Sequence, residues 1–225
     1  MIRVLKQIML LTAKDLRIEA RSRQTLGLVT MLGILIIVVL GLGLGAQGKA
    51  PAFSATAILW VAYLFGGVLC FEKTMAVERH DGALAGLLAA PIDRGVIFAG
   101  KLLSNLALMF VLACVVTPVA IVLFNFDLSA APGGFIIVTV LSMVGFAAVG
   151  TLFSAATSST TLQGGLLAIL VFPICLPLVV TSTKMLIGMF AEGQPLDAQG
   201  LGILFAFDGV YLIVSWLAFE RILEP

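Results

Sequence analysis

Charged side chains are scarce in this sequence, which excludes a water-soluble globule of its size. Only 11% of the 225 residues are Asp, Glu, Lys or Arg, whereas 61% are hydrophobic and the mean hydropathy is +1.18. Such a chain has too little polar surface to cover a globule in water. The formal net charge of +1 also excludes a general nucleic-acid binder, which needs a basic face to displace counterions from phosphates. The composition predicts an integral membrane protein.

Cysteine and histidine are equally scarce. Cys70, Cys114 and Cys175 are far apart and form no C-x-x-C motif, so they predict no redox site and act as small hydrophobic residues. His80 is the only histidine and lies in a polar segment, so no second imidazole could serve as a base within a span or complete a bis-histidine metal site in one copy. We therefore expect no catalytic residue and no metal site, and an intramembrane enzyme is the least favoured function.

Six apolar runs are each near the length of about 20 residues that crosses the hydrocarbon of a bilayer as a helix. They cover residues 25–46, 52–70, 102–124, 132–155, 161–181 and 201–219, so that spans one and two occupy 25–70 and spans three to six occupy 102–219. Helices are required because lipid cannot satisfy open backbone groups, and the glycines and prolines do not alternate as residues of barrel strands do. The sequence predicts an all-α polytopic membrane protein with one transmembrane domain over residues 1–225.

Residues 1–24 predict an amphipathic helix that lies in the membrane interface. Lys14, Arg17 and Arg21 recur at steps of three or four residues, and apolar residues such as Leu5 and Met9 form an opposite face. A cleaved signal sequence is the alternative, but the apolar run that follows is longer than the hydrophobic region of a signal.

Positive charges are distributed unequally between the two sides of the predicted spans. If the N-terminus is cytoplasmic, eleven of the 13 lysines and arginines lie on the cytoplasmic side, and only Lys49 and Lys184 lie outside. The positive-inside rule therefore predicts that both termini, including the tail 220–225, and the polar segment 71–101 are cytoplasmic.

The segment 71–101 predicts a short helix that docks on another protein. Asp81 is a suitable N-cap for a helix that begins at Gly82 and stops at Pro91, and Asp93 is a suitable cap for the helix that leads into the third span. The docking helix is apolar, is poor in basic residues and has acidic groups at its start, so a protein partner suits it better than an anionic lipid surface. Its predicted docking residues are Glu78, Asp81, Gly82, Leu84, Leu87, Leu88 and Pro91.

An apparent nucleotide motif in this segment does not fit ATP binding. Residues 95–101 match G-x-x-x-x-G-K, but Leu102 stands where a Ser or Thr hydroxyl must reach magnesium, and the intervening residues are bulky and apolar. We therefore expect that this chain binds no ATP by itself, and that Lys101 is a positive-inside anchor at the start of the third span.

Three residues within the predicted spans are candidates for a gate or a subunit interface. Asp208 lies roughly 10 Å inside the end of the sixth span, where a carboxylate is costly and normally faces the bundle or a wet cavity. Pro173 and Pro177 interrupt the fifth span, and prolines kink or loosen helices although static membrane helices also tolerate them. A simple packing role is the alternative for all three residues.

The segment 181–200 predicts a second docking surface. Its apolar residues from Met185 to Phe190 are expected to form a short helix that rests on the membrane surface or on a neighbouring subunit.

The polar segment resembles that of the CcmB family. It carries Phe-Glu at 71–72, Asp-Gly-Ala-Leu at 81–84, Ala-Pro at 90–91, Asp-Arg at 93–94 and Gly-Lys-Leu at 100–102. The stretch GGLLAILVFPICLPLVV at 164–180 is similar to the fifth span of that family. The resemblance extends over essentially the whole chain.

The resemblance implies a type 2 ABC exporter-like fold, in which an elbow helix precedes six spans and a cytoplasmic coupling helix seats in an ATPase. It implies a permease subunit for cytochrome c maturation in the bacterial inner membrane, with the separate ATPase CcmA and the membrane partners CcmC and CcmD. ATP hydrolysis in the partner would drive haem delivery or release of the haem-loaded chaperone CcmE, while partner proteins handle haem and this chain binds no cofactor directly. A type 2 permease that exports a drug, lipid or polysaccharide would have the same generic fold, and only the resemblance separates the two functions.

Overall fold

The computed structural model is helical in almost all of the residues it describes, and it confirms six helices long and apolar enough to span a membrane. It describes residues 2–45, 52–80, 86, 92–125, 127–157 and 163–222. These ranges contain the long helices α1 Ile2–Ser22, α2 Gln24–Gly45, α3 Ala52–His80, α4 Arg94–Phe124, α5 Pro132–Thr157, α6 Gln163–Ala191 and α7 Ala198–Ile222, and a 3-10 turn, Leu128–Ala130.

Helices α3 and α5 form the centre of the bundle. The apolar windows of these two helices are each 72% buried, whereas the windows of α2, α4, α6 and α7 are at most 28% buried. The outer helices therefore present long apolar faces to lipid or to other subunits, and α3 and α5 hold the core. The end of the bundle that carries α1, the end of α3 and the start of α4 is called the α1 end below, and the opposite end is called the far end.

Two helices extend beyond the spans predicted from hydropathy. Helix α3 continues past residue 70 to His80, and α4 begins at Arg94 rather than at 102. The residues added to α3 include Glu72, Lys73 and Met75, which are good helix formers, so the helical backbone continues after the apolar pattern has ended. Both ends of the polar segment 71–101 are thus extensions of its flanking spans.

The short surface helix predicted from Met185 to Phe190 is wrong. These residues continue α6 without a break, and Met185, Leu186 and Met189 are buried in the core. No proline occurs between Pro177 and Pro195, and the single glycine in the stretch 178–191, Gly188, weakens a helix without ending it, so the helix that begins in the membrane carries on to Ala191.

Helices α3 and α5 pack tightly where glycines face aromatic rings. A Cβ atom at Gly150 would lie 2.0 Å from Cδ2 of Phe71, and one at Gly67 would lie 2.3 Å from Cε1 of Phe146. The two phenylalanine rings meet edge to face with centroids 5.0 Å apart. The Ser154 hydroxyl donates a hydrogen bond to the backbone carbonyl of Phe71 across the same contact. Small residues allow this close packing, as in other membrane helix pairs.

A single residue, Arg23, separates α1 from α2. Its φ of 52° is left-handed, which interrupts the helix and redirects the chain. The Arg23 N–H donates to the Glu19 carbonyl at 2.7 Å, and the Glu19 carboxylate accepts from the N–H of Leu26 at 2.8 Å. Glu19 therefore supplies an anionic cap to the first turn of α2 and fixes this elbow.

The apolar face predicted for α1 is divided between the bundle and the surface. Leu11 packs against α4 so closely that a Cβ atom at Gly100 would lie 2.8 Å from the Leu11 Cβ, and the Thr12 hydroxyl donates to the Gly100 carbonyl at 3.2 Å. Leu5 and Met9 are exposed. Helix α1 is consequently seated on α4 and also keeps apolar side chains available for the membrane interface.

The connection between α4 and α5 at the far end is tight. The Asp127 carboxylate accepts hydrogen bonds from the backbone N–H of Ser129 at 2.9 Å and from its hydroxyl at 2.6 Å. These two bonds hold the pKa of Asp127 below its ordinary value.

Candidate functional site

The residues predicted to dock on an ATPase fall outside what the structure describes. Asp81, Gly82, Leu84, Leu87, Leu88 and Pro91 lie outside the described residues, and Glu78 lies in α3 with its side chain not described. The second predicted cap is confirmed, because the Asp93 carboxylate accepts from the N–H of Gly95 at 3.1 Å where α4 begins. The docking role of the seven residues stays a prediction.

A buried ion pair joins α1 to α4 at the α1 end. The Lys101 ammonium lies 2.9 Å from Oδ2 of Asp15, and their side chains are only 5% and 10% exposed. The Ser104 hydroxyl donates to the same oxygen at 3.1 Å, while Lys14, 39% exposed, lies 3.3 Å from Oδ1. Lys101 is therefore not exposed at the start of α4, because α1 covers it and supplies its counterion, and its role as a positive-inside anchor stays a prediction.

Hydrogen bonds extend this ion pair into the centre of the bundle. The Lys101 ammonium donates to the Thr74 carbonyl at 3.4 Å, and the Thr74 hydroxyl donates to Oδ1 of Asn105 at 2.6 Å. The Asn105 amide in turn donates to the Thr151 hydroxyl at 2.9 Å. The polar network consists of Asp15, Thr74, Lys101, Ser104, Asn105 and Thr151. It connects α1, α3, α4 and α5, so a displacement of one of these helices must break or stretch bonds made by the others.

The start of α4 is also held by α7. A Cβ atom at Gly95 would lie 2.3 Å from the Trp216 ring, so the indole lies directly on the α4 backbone. The Phe98 ring meets Trp216 at a centroid distance of 6.2 Å and Phe219 at 5.3 Å. Helices α1, α3 and α7 therefore all contact the first turns of α4, next to the segment predicted to dock.

One sequence signal could have revealed the polar network. Lys101, Ser104 and Asn105 are spaced by three and one residues, so they share one face of a span that is otherwise apolar. Polar residues on one face of a membrane helix normally face the bundle interior. Their partner Asp15 could not be identified in the same way, because nothing in the sequence relates it to a residue so far along the chain.

The side chain of Asp208, a residue of α7, is buried against α5 and α6. It is 5% exposed, and neither of its carboxylate oxygens has a hydrogen-bond partner among the residues that the structure describes. A Cβ atom at Gly145 would lie 2.3 Å from Oδ1 of Asp208 and 2.8 Å from Leu178. One turn away, the hydroxyls of Ser142 and Ser182 bond to each other at 2.5 Å. An ionised carboxylate without a partner is too costly for such a site, so the geometry favours a neutral carboxyl group.

The two prolines of α6 are placed differently from Asp208. Helix α6 is continuous from Gln163 to Ala191, and Pro173 and Pro177 lie on its exposed side. Leu178, next to Pro177, reaches the buried site beside Gly145. The structure thus brings α6 to Asp208 without placing either proline ring there, and a gate or interface role for the three residues stays a prediction.

Replacement of Asp208 by asparagine is expected to change the free energy of unfolding by less than about 1 kcal/mol, because asparagine keeps the shape of a neutral carboxyl group. Asp208→Lys is expected to cost more than about 3 kcal/mol, because it introduces a larger and charged group at the same place. Thermal unfolding of the detergent-solubilised variants measures both values. A loss of several kcal/mol in the asparagine variant would show that the native carboxylate is ionised and paired.

Within the described ranges, no group of three His, Cys, Asp or Glu side chains is close enough to hold a metal ion. Cys70 and Cys175 are buried, Cys114 is exposed on α4, and the side chain of His80 is not described.

The fold and the polar network define a multi-pass membrane protein. Six helices form the bundle, and the ion pair between Asp15 and Lys101 attaches the N-terminal helix to it. The model of the CcmB protein family matches residues 6–224, and the chain belongs to the CcmB family.

Three relatives support the same assignment. Heme exporter protein B of Rhodobacter capsulatus is 26% identical over 190 residues, which cover 83% of this chain and 85% of that protein. Heme exporter protein B of Bradyrhizobium diazoefficiens is 25% identical over 214 residues, or 91% of each chain. The protein of the same name from Paracoccus denitrificans is 24% identical over 188 residues, which cover 84% of this chain and 86% of that protein. The resemblance to the CcmB family seen in the sequence is confirmed.

Proposed function

We propose that this chain is the permease subunit of an ABC transporter for cytochrome c maturation, and that a separate subunit of the CcmA type hydrolyses ATP for it. The relatives called heme exporter protein B match it over more than four fifths of both chains, which supports this assignment. ATP hydrolysis in the partner drives haem delivery or release of the haem-loaded chaperone CcmE. Haem is cargo in this proposal, handled by partner proteins such as CcmC, with CcmD in the same assembly.

The observation that carries the proposal is the polar network at the α1 end. A segment that couples a soluble ATPase to the spans must transmit a movement of the ATPase to the membrane helices. It can do so only if the helices on either side of the segment are rigidly bonded to the rest of the bundle. Thr74 and Lys101 lie on the two helices that flank the segment 81–91 and are bonded to each other. Lys101 is paired with Asp15 of α1, and Thr74 is linked through Asn105 to the central helix α5. A force applied to that segment therefore reaches four helices together.

The proposed location is the bacterial cytoplasmic membrane, with both termini and the α1 end in the cytoplasm. In the ranges that the structure describes, all lysine and arginine side chains except Lys184 lie at the α1 end. Basic residues concentrate on the cytoplasmic side of membrane proteins, which supports this orientation. The ATPase then meets the segment 81–91 from the cytoplasm.

The test is co-purification of the ATPase with the tagged chain from membranes. Leu84→Asp combined with Leu88→Asp is expected to reduce the recovered ATPase at least tenfold, because two carboxylates would be buried in an apolar contact. Membrane insertion should be intact, since both positions lie outside the predicted spans. Quantitative mass spectrometry of the purified complexes measures the ratio of the two subunits.

The matched control places the same two charges at the far end of the bundle. Ala130→Asp combined with Ala198→Asp alters exposed positions there and should leave the recovered ATPase unchanged. Equal recovery from both double variants would contradict the docking assignment. Absence of any ATPase from the unmodified preparation would contradict the transporter assignment itself.

The cargo is tested separately in cells that lack the chromosomal copy of this gene. The unmodified chain should restore covalent haem attachment to a c-type cytochrome, and the docking double variant should not. An ATPase that co-purifies while cytochrome maturation proceeds normally without this chain would indicate a permease for another substrate.

A further inference from the structure

A cleft of about 330 Å³ lies at the far end between the last turns of α6 and the start of α7. The connection after Ala191 folds back over α6, where the Gln194 N–H donates to the Gly188 carbonyl at 2.9 Å. The apolar part of its lining, called the apolar wall, consists of Val180 and Ile203, and the polar part includes Lys184, Gln194 and Gln199. The volume is at the lower end of the range of ligand sites in proteins.

Lys184 is the positive group of this cleft. Within the described ranges it is the only basic side chain at the far end, and no carboxylate there lies within ion-pairing distance of it. The cleft also contains Asp197, but that carboxylate caps α7 by accepting from the N–H groups of Gln199 and Gly200, each at 3.0 Å. The ammonium is therefore available to an anion, whereas the nearby acidic group is already bonded.

The position of Lys184 relative to the membrane surface indicates which kind of anion it binds. It lies seven residues before the end of α6, roughly 10 Å along the helix, which is near the boundary between headgroups and acyl chains. Val180 and Ile203 beside it are exposed on the outer, lipid-facing surface of the bundle. A lysine at such a depth extends its charge towards the headgroup layer. The cleft thus contains a cation next to an apolar surface. It lies at the membrane depth where a phospholipid has its phosphate and the first carbons of its acyl chains.

We propose that this cleft binds one phospholipid, with its phosphate on Lys184 and an acyl chain along Val180 and Ile203. The polar side chains of Gln194 and Gln199 then face the headgroup. A freely soluble anion would use the ammonium but would leave the apolar wall unused. The site lies at the opposite end from the polar network, so the proposal is independent of ATPase docking.

The experiment is native mass spectrometry of the full chain, purified in detergent, stripped of lipid and titrated with short-chain phosphatidylglycerol. Lys184→Gln is expected to weaken binding about tenfold or more, whereas Lys184→Arg should keep it, because arginine also binds phosphate. Gly188→Leu keeps the charge of Lys184 but fills the cleft, because even a Cβ atom at this position would lie 3.3 Å from Oε1 of Gln194. This variant should weaken lipid binding by a comparable factor. Arg221→Gln removes an exposed charge at the α1 end and is the control expected to bind normally.

Inorganic phosphate in a parallel titration distinguishes a lipid site from a general anion site. We expect no competition at phosphate concentrations that exceed the lipid concentration a hundredfold. Effective competition by inorganic phosphate would overturn the proposal, and so would unchanged lipid binding in both the Lys184→Gln and Gly188→Leu variants. Thermal unfolding of the same samples should show a lipid-dependent rise in the midpoint for the unmodified chain and not for these two variants.

Discussion

Replacing Lys101 by methionine is expected to lower the free energy of unfolding by about 3 kcal/mol, because it leaves the buried carboxylate of Asp15 without its closest cation. This value is at the lower end of the range for breaking a buried ion pair, since Ser104 still donates to the same carboxylate. Methionine keeps most of the length of the lysine side chain, so the change removes the charge and creates little cavity. The midpoint of thermal unfolding in detergent measures the loss.

Lys14, which also contacts Asp15, provides the control for the Lys101→Met experiment. Lys14 contacts the other oxygen of Asp15 from an exposed position, so Lys14→Met is expected to cost less than about 1 kcal/mol. The double variant Asp15→Leu with Lys101→Met should recover most of the stability lost in Lys101→Met, because it replaces both charges by apolar groups. Equal losses for Lys14→Met and Lys101→Met, or a double variant no more stable than the single one, would show that the pair is not buried in the folded protein.

Replacement of Gly150 by alanine is expected to cost about 2 to 3 kcal/mol, although alanine is the better helix former by about 1 kcal/mol. The new methyl group would overlap three atoms of the Phe71 ring, which lie 2.0 to 2.7 Å from its position. That ring is fully buried and packed on Phe146, so it has no space to rotate away. The central helices α3 and α5 must then separate, which also stretches the contact between Ser154 and the Phe71 backbone.

Gly202 provides the matched comparison, because it is helical and a Cβ atom there meets nothing within 4 Å. Gly202→Ala is expected to be neutral or to stabilise by up to about 1 kcal/mol. Adding Phe71→Leu to Gly150→Ala should make the combined loss smaller than the sum of the two single losses, because the smaller side chain gives room to the methyl group. Strict additivity would contradict a direct contact between the two positions. Both comparisons use the same thermal unfolding assay.

The bundle could be predicted from the sequence because the requirements of a bilayer are simple. Six runs of suitable length became six helices, and Asp93 capped α4 as its position before that helix suggested. Asp208 also lies in the interior, where a carboxyl group within a span was expected. Each of these predictions depended only on a residue and its near neighbours in the chain.

The polar network could not be predicted because its parts are distant in sequence. Lys101 could be predicted as a positive charge at the start of the third span, but its burial under α1 and its ion pair with Asp15 could not. The far-end cleft was missed for a related reason. In the sequence Lys184 is a single charge on the predicted outer side, and only the packing of α7 and of the segment 192–197 against α6 makes a cleft around it.

The contact between Asp15 and Ser104 spans 89 residues of chain, and this separation orders the events of biosynthesis. A ribosome that adds about 5–20 residues per second delivers α4 on the order of ten seconds after α1. Throughout that interval the carboxylate of Asp15 has neither Lys101 nor Ser104 to bind, so α1 must wait in the headgroup layer with its charges hydrated. The first helix to be made therefore cannot be fixed in place until the third span has arrived.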